Sequence, residues 1–585
     1  MAVASSGTTQ TTGGRARVLS GPVPVRRPRP QMVAAILTLV ALLGFSVYSL
    51  VEVDISLPRM IASWGNAVNF FGRVGTITFP PMDELLSLTA LTLGIVITGT
   101  VLAAVISIPV AYLAAANTTP GPAWRALGRF IGVLSRAVPD VVIAMILVLM
   151  FSLGSLPGII AIGLHSIGMI SKLFADAIEQ IDEGPRLAIR AAGGSKLQQF
   201  VSGVLPQVMP SWVATVLHRG DINLRGSVLL GYVGVLGLGR ELSLAFKSLD
   251  YSLGIGLAIV IFALCVVMEI VSSAVRTGML GVQPTGRGLG DRVVRRVRAA
   301  RYGRRPTTAR TMPTSVASPD ERIAAAARRP WTPARLRDTA GAWTAAAVVV
   351  WAIVVSDIQW GDLVTFWAKA PAVLARLWPP SFGMRTMEQM LGAMFETIAI
   401  AFAATFIALV CSIVVGSFAA RNVAPNQAVR TGARFALVGI RGIPELILAI
   451  LLIVVTGLGA QAGTLALGIC GIGLLGKLIA DSLEEVSSGP ERALTAVGAT
   501  RSQVYASATL PQGARALVGH TFYTLDTNIR AATMLGIVGG GGIGYYLIQA
   551  DQGGNYDQVT AIVLMILAVV LIVEGIAMWM RKVFG

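Results

Sequence analysis

Long apolar stretches recur along the whole chain. About 20 consecutive apolar residues are enough for a helix to cross a ~30 Å hydrocarbon layer, and lipid leaves backbone groups no partner outside such a helix. The pattern therefore predicts an all-α polytopic membrane protein with about twelve spans. The predicted spans lie near 32–51, 86–115, 130–152, 156–172, 208–235 and 252–276, and near 340–357, 391–420, 435–456, 462–478, 513–540 and 559–580.

The second set of spans is a copy of the first. The sequence matches itself at a constant offset of 305 residues, without a gap, from Thr92/Thr397 to Gly239/Gly544. Chance does not hold a register for so long. Six spans per half is an even number, so the two halves share one orientation and are related by an axis along the membrane normal. We predict two parallel six-helix repeats, and inverted-repeat secondary transporters are disfavoured.

Composition and charge add orientation and domain boundaries. The chain is 54% hydrophobic, 13% charged and carries a net charge of +17. Much of this surplus lies in Arg15 to Arg29, in Arg276 to Arg337 and in short loops, a pattern that orients membrane helices rather than binding nucleic acid. We predict a protein of the cell (inner or plasma) membrane with both termini in the cytoplasm. Its predicted parts are a basic tail (1–31), a first half (32–276), an Arg-rich cytoplasmic linker (277–339) and a second half (340–585).

A polar segment of about 35 residues follows the fourth span of each half, beginning at Lys172 and at Lys477. Alanine and leucine favour a short helix there, Gly193 and Gly498 end it, and a Leu-Pro pair restarts the chain at the next span. We predict a short helix lying across the cytoplasmic face in each half. An interfacial connector is the alternative, which two copies with matched glycine and proline spacing disfavour.

These residues resemble the coupling loop of ABC importer permeases. That pattern is Glu-Ala-Ala, three residues, Gly, nine residues, Ile, one residue, Leu-Pro. The matching positions are Ala188, Gly193, Leu205 and Pro206 in the first copy and Ala493, Gly498, Leu510 and Pro511 in the second. Two positions depart from it: the glutamate is Leu187 and Arg492 here, and the isoleucine is Gly203 and Ala508. Glu491 is a candidate replacement for the missing glutamate.

Flanking residues narrow the resemblance to the phosphonate-importer permease family (PhnE type). The similarity includes Arg-Gly-Ile-Pro-Glu-Leu at 441–446 and Leu-Pro-Gln in both copies, and it covers roughly residues 80–275 and 385–580. It implies the type I ABC importer fold and a permease for phosphonate or a related phosphorus oxyanion. The ATPase-coupling residues would be Asp176, Glu179, Gly184, Ala188, Gly193, Leu205 and Pro206, with Asp481, Glu484, Gly489, Ala493, Gly498, Leu510 and Pro511.

The same resemblance implies the partners. A cytoplasmic ABC ATPase dimer would carry the ATP and magnesium. Gly471 to Lys477 has the spacing of a phosphate-binding loop, but Leu478 follows where Ser or Thr should hold the metal, so we do not interpret this stretch as an ATP site. The external loops 52–85 and 358–390 are too short to enclose a ligand, so an extracytoplasmic substrate-binding protein is expected. We expect no catalytic residue, no metal site and no bound cofactor in this chain.

Charged residues inside the fifth span of each half are the second candidate site. They are Asp221, Asn223 and Arg225, matched by Asp526, Asn528 and Arg530. An unpaired charge there costs about 2.5–3.5 kcal/mol on insertion scales. One interpretation is a local ion pair, since Asp and Arg four residues apart share a helix face. The other is that the arginines line the translocation pathway and meet an oxyanion.

Two alternative functions remain open from the sequence. One is an ABC permease for another small solute, such as an amino acid or betaine. The other is a secondary transporter or channel that works without an ATPase.

Overall fold

The computed structural model describes residues 30–55, 57–280 and 333–584. The predicted basic tail and most of the predicted linker lie outside these residues. The described residues form helices joined by turns and contain no β-strand. Eight helices are long and apolar enough to cross a membrane, and the number is ten if two sharply bent helix pairs each count as one span.

The first half contains twelve helices within the described residues. In chain order they are α1 (Pro30–Glu52), α2 (Leu57–Ala62), α3 (Trp64–Val74), α4 (Met82–Ala114), α5 (Pro122–Ala137), α6 (Asp140–Phe151), α7 (Leu156–Glu179), α8 (Glu183–Ala191), α9 (Lys196–Gln198), α10 (Leu205–Leu230), α11 (Leu238–Lys247) and α12 (Tyr251–Leu280).

The second half repeats this order with small differences. Its helices are α13 (Pro333–Val355), α14 (Gly361–Leu377), α15 (Met387–Ala419), α16 (Gln427–Gly442), α17 (Glu445–Thr456), α18 (Ala460–Glu484), α19 (Ser488–Ala496), α20 (Arg501–Val504), α21 (Leu510–Ile537), α22 (Ile543–Gln552) and α23 (Tyr556–Phe584). The phosphate-loop-like run from Gly471 to Lys477 lies inside α18, so it is a helix and not a loop.

The third predicted span of each half is a sharply bent pair of helices and not one straight helix. The stretch 130–152 falls on α5 and α6, which meet at 83°, and the stretch 435–456 falls on α16 and α17, which meet at the same angle. Val138 is extended, and Pro139 precedes the first residue of α6. The cause is proline, which disfavours a helical conformation in the residue before it.

Two other predicted spans are helices that fall short of the length and composition of a simple span. The stretch 340–357 corresponds to an apolar run of α13 that covers only Thr339–Val355. The stretch 513–540 corresponds to α21, which carries Arg515, His520, Asp526 and Arg530 within its length. All twelve predicted stretches are thus helical, and eight to ten of them meet the length and composition of a membrane span.

The first helices of the two halves are exchanged. α1 packs on α15 of the second half, where Phe45 meets Phe402 with ring centroids 4.9 Å apart. α13 packs in the same way on α4 of the first half, and a Cβ at Gly94 would lie 2.9 Å from the carbonyl oxygen of Ala352. Each bundle is thus completed by a helix from the other half.

The predicted external loops also cross between halves. They contain α2 and α3 in the first half and α14 in the second. α3 contacts α17, and α14 contacts α6, where Phe366 stacks on Phe151 with centroids 5.0 Å apart. These segments are short helical arms rather than ligand-enclosing domains.

The apolar core is shared at one end of the molecule and divided at the other. One buried cluster joins the two halves and includes Ile95 and Ile159 with Ile400 and Leu467. Near the last turns of α7 and α18, the buried residues form two separate clusters, one built around Phe174 and the other around Ile479. The halves are therefore packed together away from α8 and α19 and have independent cores close to them.

Candidate functional site

The predicted short helices are present as α8 and α19, and neither contains a buried residue. Each ends at a glycine of positive φ, +81° at Gly193 and +85° at Gly498. The amide of Gly194 donates to the carbonyl of Ile189 at 2.9 Å, and the amide of Ala499 to that of Leu494 at 3.0 Å. Glycine adopts this left-handed conformation without strain and so closes both helices.

A second sequence feature determines where the chain becomes helical again after each glycine. Ser195 and Gln198 cap each other's backbone at the start of α9, and Thr500 and Gln503 do so at the start of α20. This Ser/Thr-x-x-Gln capping box is visible in the sequence but was not part of the prediction. It fixes the angle at which the chain leaves each surface helix.

The Leu-Pro pair does not restart the chain, contrary to prediction. The helix runs without a break from Lys196 to Val233. A π-helical turn at Gln199–Val204 leads directly into Leu205, whose amide bonds to the carbonyl of Phe200. Such a wide turn gives room for a proline ring and its missing N–H, so Pro206 lies inside the continuous helix.

The two glutamates among the predicted coupling residues hold neighbouring segments together. Glu179 accepts from the amide of Ala116 at 2.7 Å and pairs with Arg125 at 3.5 Å. Glu484 accepts from the amide of Arg421 at 2.6 Å and pairs with Arg434 at 2.9 Å. Both carboxylates therefore attach the end of α7 or α18 to the segment that follows α4 or α15.

An asparagine ties each surface helix to the bundle. Asn117 donates to the carboxylate of Glu183 at 2.7 Å, and Asn422 donates to that of Glu491 at 2.9 Å. Glu491 also accepts from Thr509 at 2.6 Å. The structure thus places Glu491, the candidate replacement for the missing family glutamate, in an internal bond that anchors α19.

The missing family isoleucine has a steric explanation in the first half. A Cβ at Gly203 would lie 3.0 Å from the Cα of Arg186, so the backbone of α8 rests directly on this glycine. Ala508 fills the equivalent position and is buried. A branched side chain at Gly203 would push α8 away from the π-helical turn.

The intramembrane charges form one cluster per half at the boundary between halves. Arg225 binds Asp221 at 2.7 Å and Glu269 at 3.1 Å, and its Nη1 donates to the carbonyl of Arg441 at 2.9 Å. Arg441 in turn lies 3.5 Å from Glu269. The predicted local ion pair is therefore present, and it is extended across the boundary.

The second cluster keeps the pattern with fewer contacts. Arg530 binds Asp526 at 2.6 Å, and its Nη1 donates to the carbonyl of Arg136 at 3.4 Å. Arg136 binds Glu574 at 2.6 Å. Sequence reasoning missed both glutamates as site residues, although Glu269 and Glu574 are acidic residues of α12 and α23 separated by the repeat offset.

The two asparagines hold helices together within each half. Asn223 donates to Thr100 Oγ1 at 2.9 Å and accepts from Ser166. Asn528 donates to Thr405 Oγ1 at 2.9 Å. Both are buried, so these bonds join α10 to α4 and α21 to α15.

A further arginine, Arg219, was not predicted because its counterpart in the second half is Thr524. It is buried on α10, and its Nε donates to Ser166 Oγ at 2.9 Å. A search restricted to residues that recur in both halves could not find it.

Comparison with known proteins identifies the family of the two repeated halves. The profile of the family described as binding-protein-dependent transport system inner membrane component matches residues 107–280 and 412–585, more than half of the chain. The chain belongs to this family. Each matched segment ends one half, so the duplication is a duplication of this permease domain.

Two curated relatives and one solved structure illustrate the similarity. The phosphate-import permease protein PhnE of Mycolicibacterium smegmatis is 38% identical over 84% of this chain and 84% of its own length. The phosphite transport system permease protein PtxC of Stutzerimonas stutzeri is 40% identical over 32% of this chain and 67% of its own length. A structure of the MetNI methionine ABC transporter aligns with 34% of this chain and 100% of the matched chain at 21% identity and a TM-score of 0.32.

Proposed function

We propose that this chain is the permease of an ATP-driven importer for a small phosphorus oxyanion. The observation that carries the proposal is the pair of exposed surface helices, α8 and α19, which stand at equivalent positions of the two halves. A twofold pair of exposed helices can seat a twofold ATPase dimer. The printed names of the relatives, phosphate-import and phosphite transport permeases, support the choice of cargo.

The anchoring of these helices supports a mechanical role. Asn117 and Asn422 bind carboxylates of α8 and α19, and Glu179 and Glu484 bind the segments behind them. A force applied to either helix is therefore passed to α7 or α18. Because the core is divided at this end and shared at the other, closing the ATPase dimer would bring the two separate clusters together.

The distribution of charged residues supports one orientation of the protein in the membrane. The end that bears α8 and α19 also carries Arg125, Arg129, Arg430 and Arg434 on short segments, and under the positive-inside rule this supports a cytoplasmic location for that end. The arms α2, α3 and α14 then face outward, where a substrate-binding protein would deliver cargo. Both chain termini would be cytoplasmic.

The test uses the full-length chain, purified from its native membrane in mild detergent and reconstituted with its co-purifying ATPase and the binding protein. ATP-dependent uptake of phosphate, phosphite and methylphosphonate is compared with uptake of methionine and glycine betaine. We expect uptake of a phosphorus oxyanion only. Uptake of the other solutes, or uptake without an ATPase, would favour one of the two alternatives.

The coupling role is tested on the surface helices themselves. Ala188→Trp and Ala493→Trp each place a bulky group on an exposed position of α8 or α19, and Ala346→Trp does the same on α13, away from both proposed docking faces. We expect the first two variants to lose ATPase retention and uptake and the third to keep both. Normal uptake by Ala188→Trp and Ala493→Trp would contradict docking at these helices.

A further inference from the structure

Arg219 has an unusual environment for a charge in a spanning helix. Only 8% of its surface is exposed, and its Nε donates to Ser166 while its Nη1 contacts the sulfur of Met169 at 3.4 Å. Ser166 lies ten residues after the first residue of α7, which is about 15 Å along a helix and thus near the middle of the span. Among the described residues, Nη2 has no hydrogen-bond partner.

The other arginines of this region are neutralised. Arg225, Arg441, Arg136 and Arg530 each have a carboxylate within 4 Å. Arg219 has no carboxylate within that distance in the part of the chain that the structure describes. Its positive charge is therefore the one in this region that no neighbouring acid balances at short range, and such a charge is expensive to keep inside a membrane.

The surroundings of Arg219 belong to both halves. Its helix α10 meets the other half where Arg225 Nη1 donates to the carbonyl of Arg441 at 2.9 Å. The charge of Arg219 also interacts with Tyr523 and Arg530 of that half. Asp140, the first residue of α6, lies beside α10 about two turns beyond Arg219, because its Oδ2 is 3.6 Å from a Cβ built at Gly226. The guanidinium thus lies at the boundary between halves, with its nearest acid displaced toward one end.

We propose that Arg219 is the anion-recognition residue of the translocation pathway and that it binds the tetrahedral phosphorus oxyanion during passage between the halves. The inference rests on the proposed function and names the residue that gives the pathway its preference for an anion. Nη2 and Nη1, which hold no strong acceptor, provide the two parallel N–H groups with which a guanidinium binds an oxyanion. Arg225 and Arg530, held by Asp221 and Asp526, then serve to join the halves rather than to bind cargo.

The experiment measures uptake kinetics, basal ATPase activity and complex assembly for the full transporter carrying Arg219→Gln, Arg219→Lys or Ser227→Ala. We expect Arg219→Gln to assemble and to hydrolyse ATP at the basal rate while uptake of phosphate or phosphite falls about tenfold or more, the scale of one lost charge-assisted hydrogen bond. Ser227→Ala is the control, because it removes a buried hydroxyl two turns further along α10 that donates to the carbonyl of Leu224 in the same helix. It should leave uptake within about twofold of normal.

Normal uptake by Arg219→Gln, or an equal loss in Ser227→Ala, would overturn the assignment, since the second result is that of a general disturbance of α10. If Arg219→Gln fails to assemble, Arg219→Lys decides, because it keeps the charge but not the planar fork. Recognition by Arg219 predicts a changed ratio of the KM values for phosphate and phosphite in that variant, and an unchanged ratio refutes it. A wild-type protein that carries neither anion would refute the proposed function itself.

Discussion

Glu269 and Glu574 occupy equivalent positions in the two halves, yet the structure predicts different consequences when each is replaced by Gln. Glu574 is the sole carboxylate within 4 Å of Arg136 among the described residues. Glu269 shares its two arginines with Asp221, which lies 2.7 Å from Arg225 and 3.9 Å from Arg441. Removing Glu269 therefore leaves both cations with an acid nearby, whereas removing Glu574 leaves one cation alone.

The expected magnitudes follow from burial. The side chains of Glu574 and Arg136 are 13% and 26% exposed, so the pair is mostly but not fully shielded from solvent. Breaking a fully buried pair costs about 3–5 kcal/mol. We expect about 2–3 kcal/mol for Glu574→Gln after discounting for exposure, which is roughly a 30- to 150-fold change in the folding equilibrium. For Glu269→Gln we expect less than about 1 kcal/mol.

The assay is unfolding of the purified protein in mixed micelles, titrated with SDS and followed by tryptophan fluorescence. Arg136→Met in the Glu574→Gln background removes the unpaired cation and should recover part of the lost stability. Equal losses for the two glutamate variants, or a further loss in the double variant, would refute the reasoning. Such results would mean that the cross-boundary pair does not hold the halves together.

Three other groups of substitutions test separate features of the structure. Gly193→Ala and Gly498→Ala force a positive φ on alanine and should each lower stability by about 1–2 kcal/mol in the SDS titration. Gly439→Ala, in a helix with open space around it, should be neutral or stabilising in the same assay. Gly203→Ile restores the family residue, but its side chain meets the backbone of Arg186. We expect the variant to lose about 1–3 kcal/mol of stability and to couple ATP hydrolysis to uptake less tightly. An unchanged ratio of ATP hydrolysed to substrate taken up would contradict the packing of α8. Burial raises the pKa of Asp551 from 3.8 to about 6, so its ionisation destabilises the folded state progressively from pH 4 to 6. Asp551→Asn should therefore be more stable than wild type at pH 7 and equal to it at pH 4. A constant difference in stability across that range would exclude the effect.

Periodicity and self-similarity predicted the helical class, the duplication and the short surface helices, because these features depend on local sequence. The sharp bends at Pro139 and Pro444 were not predicted, although the two prolines are separated by the repeat offset of 305 residues. Hydropathy averages over a window longer than the bend, so two apolar helices in series look like one span. The bend could have been predicted locally, because each proline disfavours a helical conformation in the residue before it.

The charged clusters show a second limit of prediction from the sequence alone. Asp221 and Arg225 could be paired from their spacing alone, and the structure contains that pair. Their partners Glu269 and Arg441 could not be assigned from the sequence, since they come from distant helices and, for Arg441, from the other half. Arg219 was missed for the opposite reason, because self-comparison favours residues that recur and this one does not.

The exchange of α1 and α13 means that the sequence repeats are not the moving parts of the transporter. α1 is bound to α15 through Phe45, Phe395 and Phe402, so it must travel with the second bundle while its own chain continues into the first. Any rocking between bundles is then taken up by the connectors 53–81 and 356–386, which act as pivots. A disulfide engineered between α1 and α15 should leave the transport cycle running, whereas one that locks a connector to α4 or α15 should stop it.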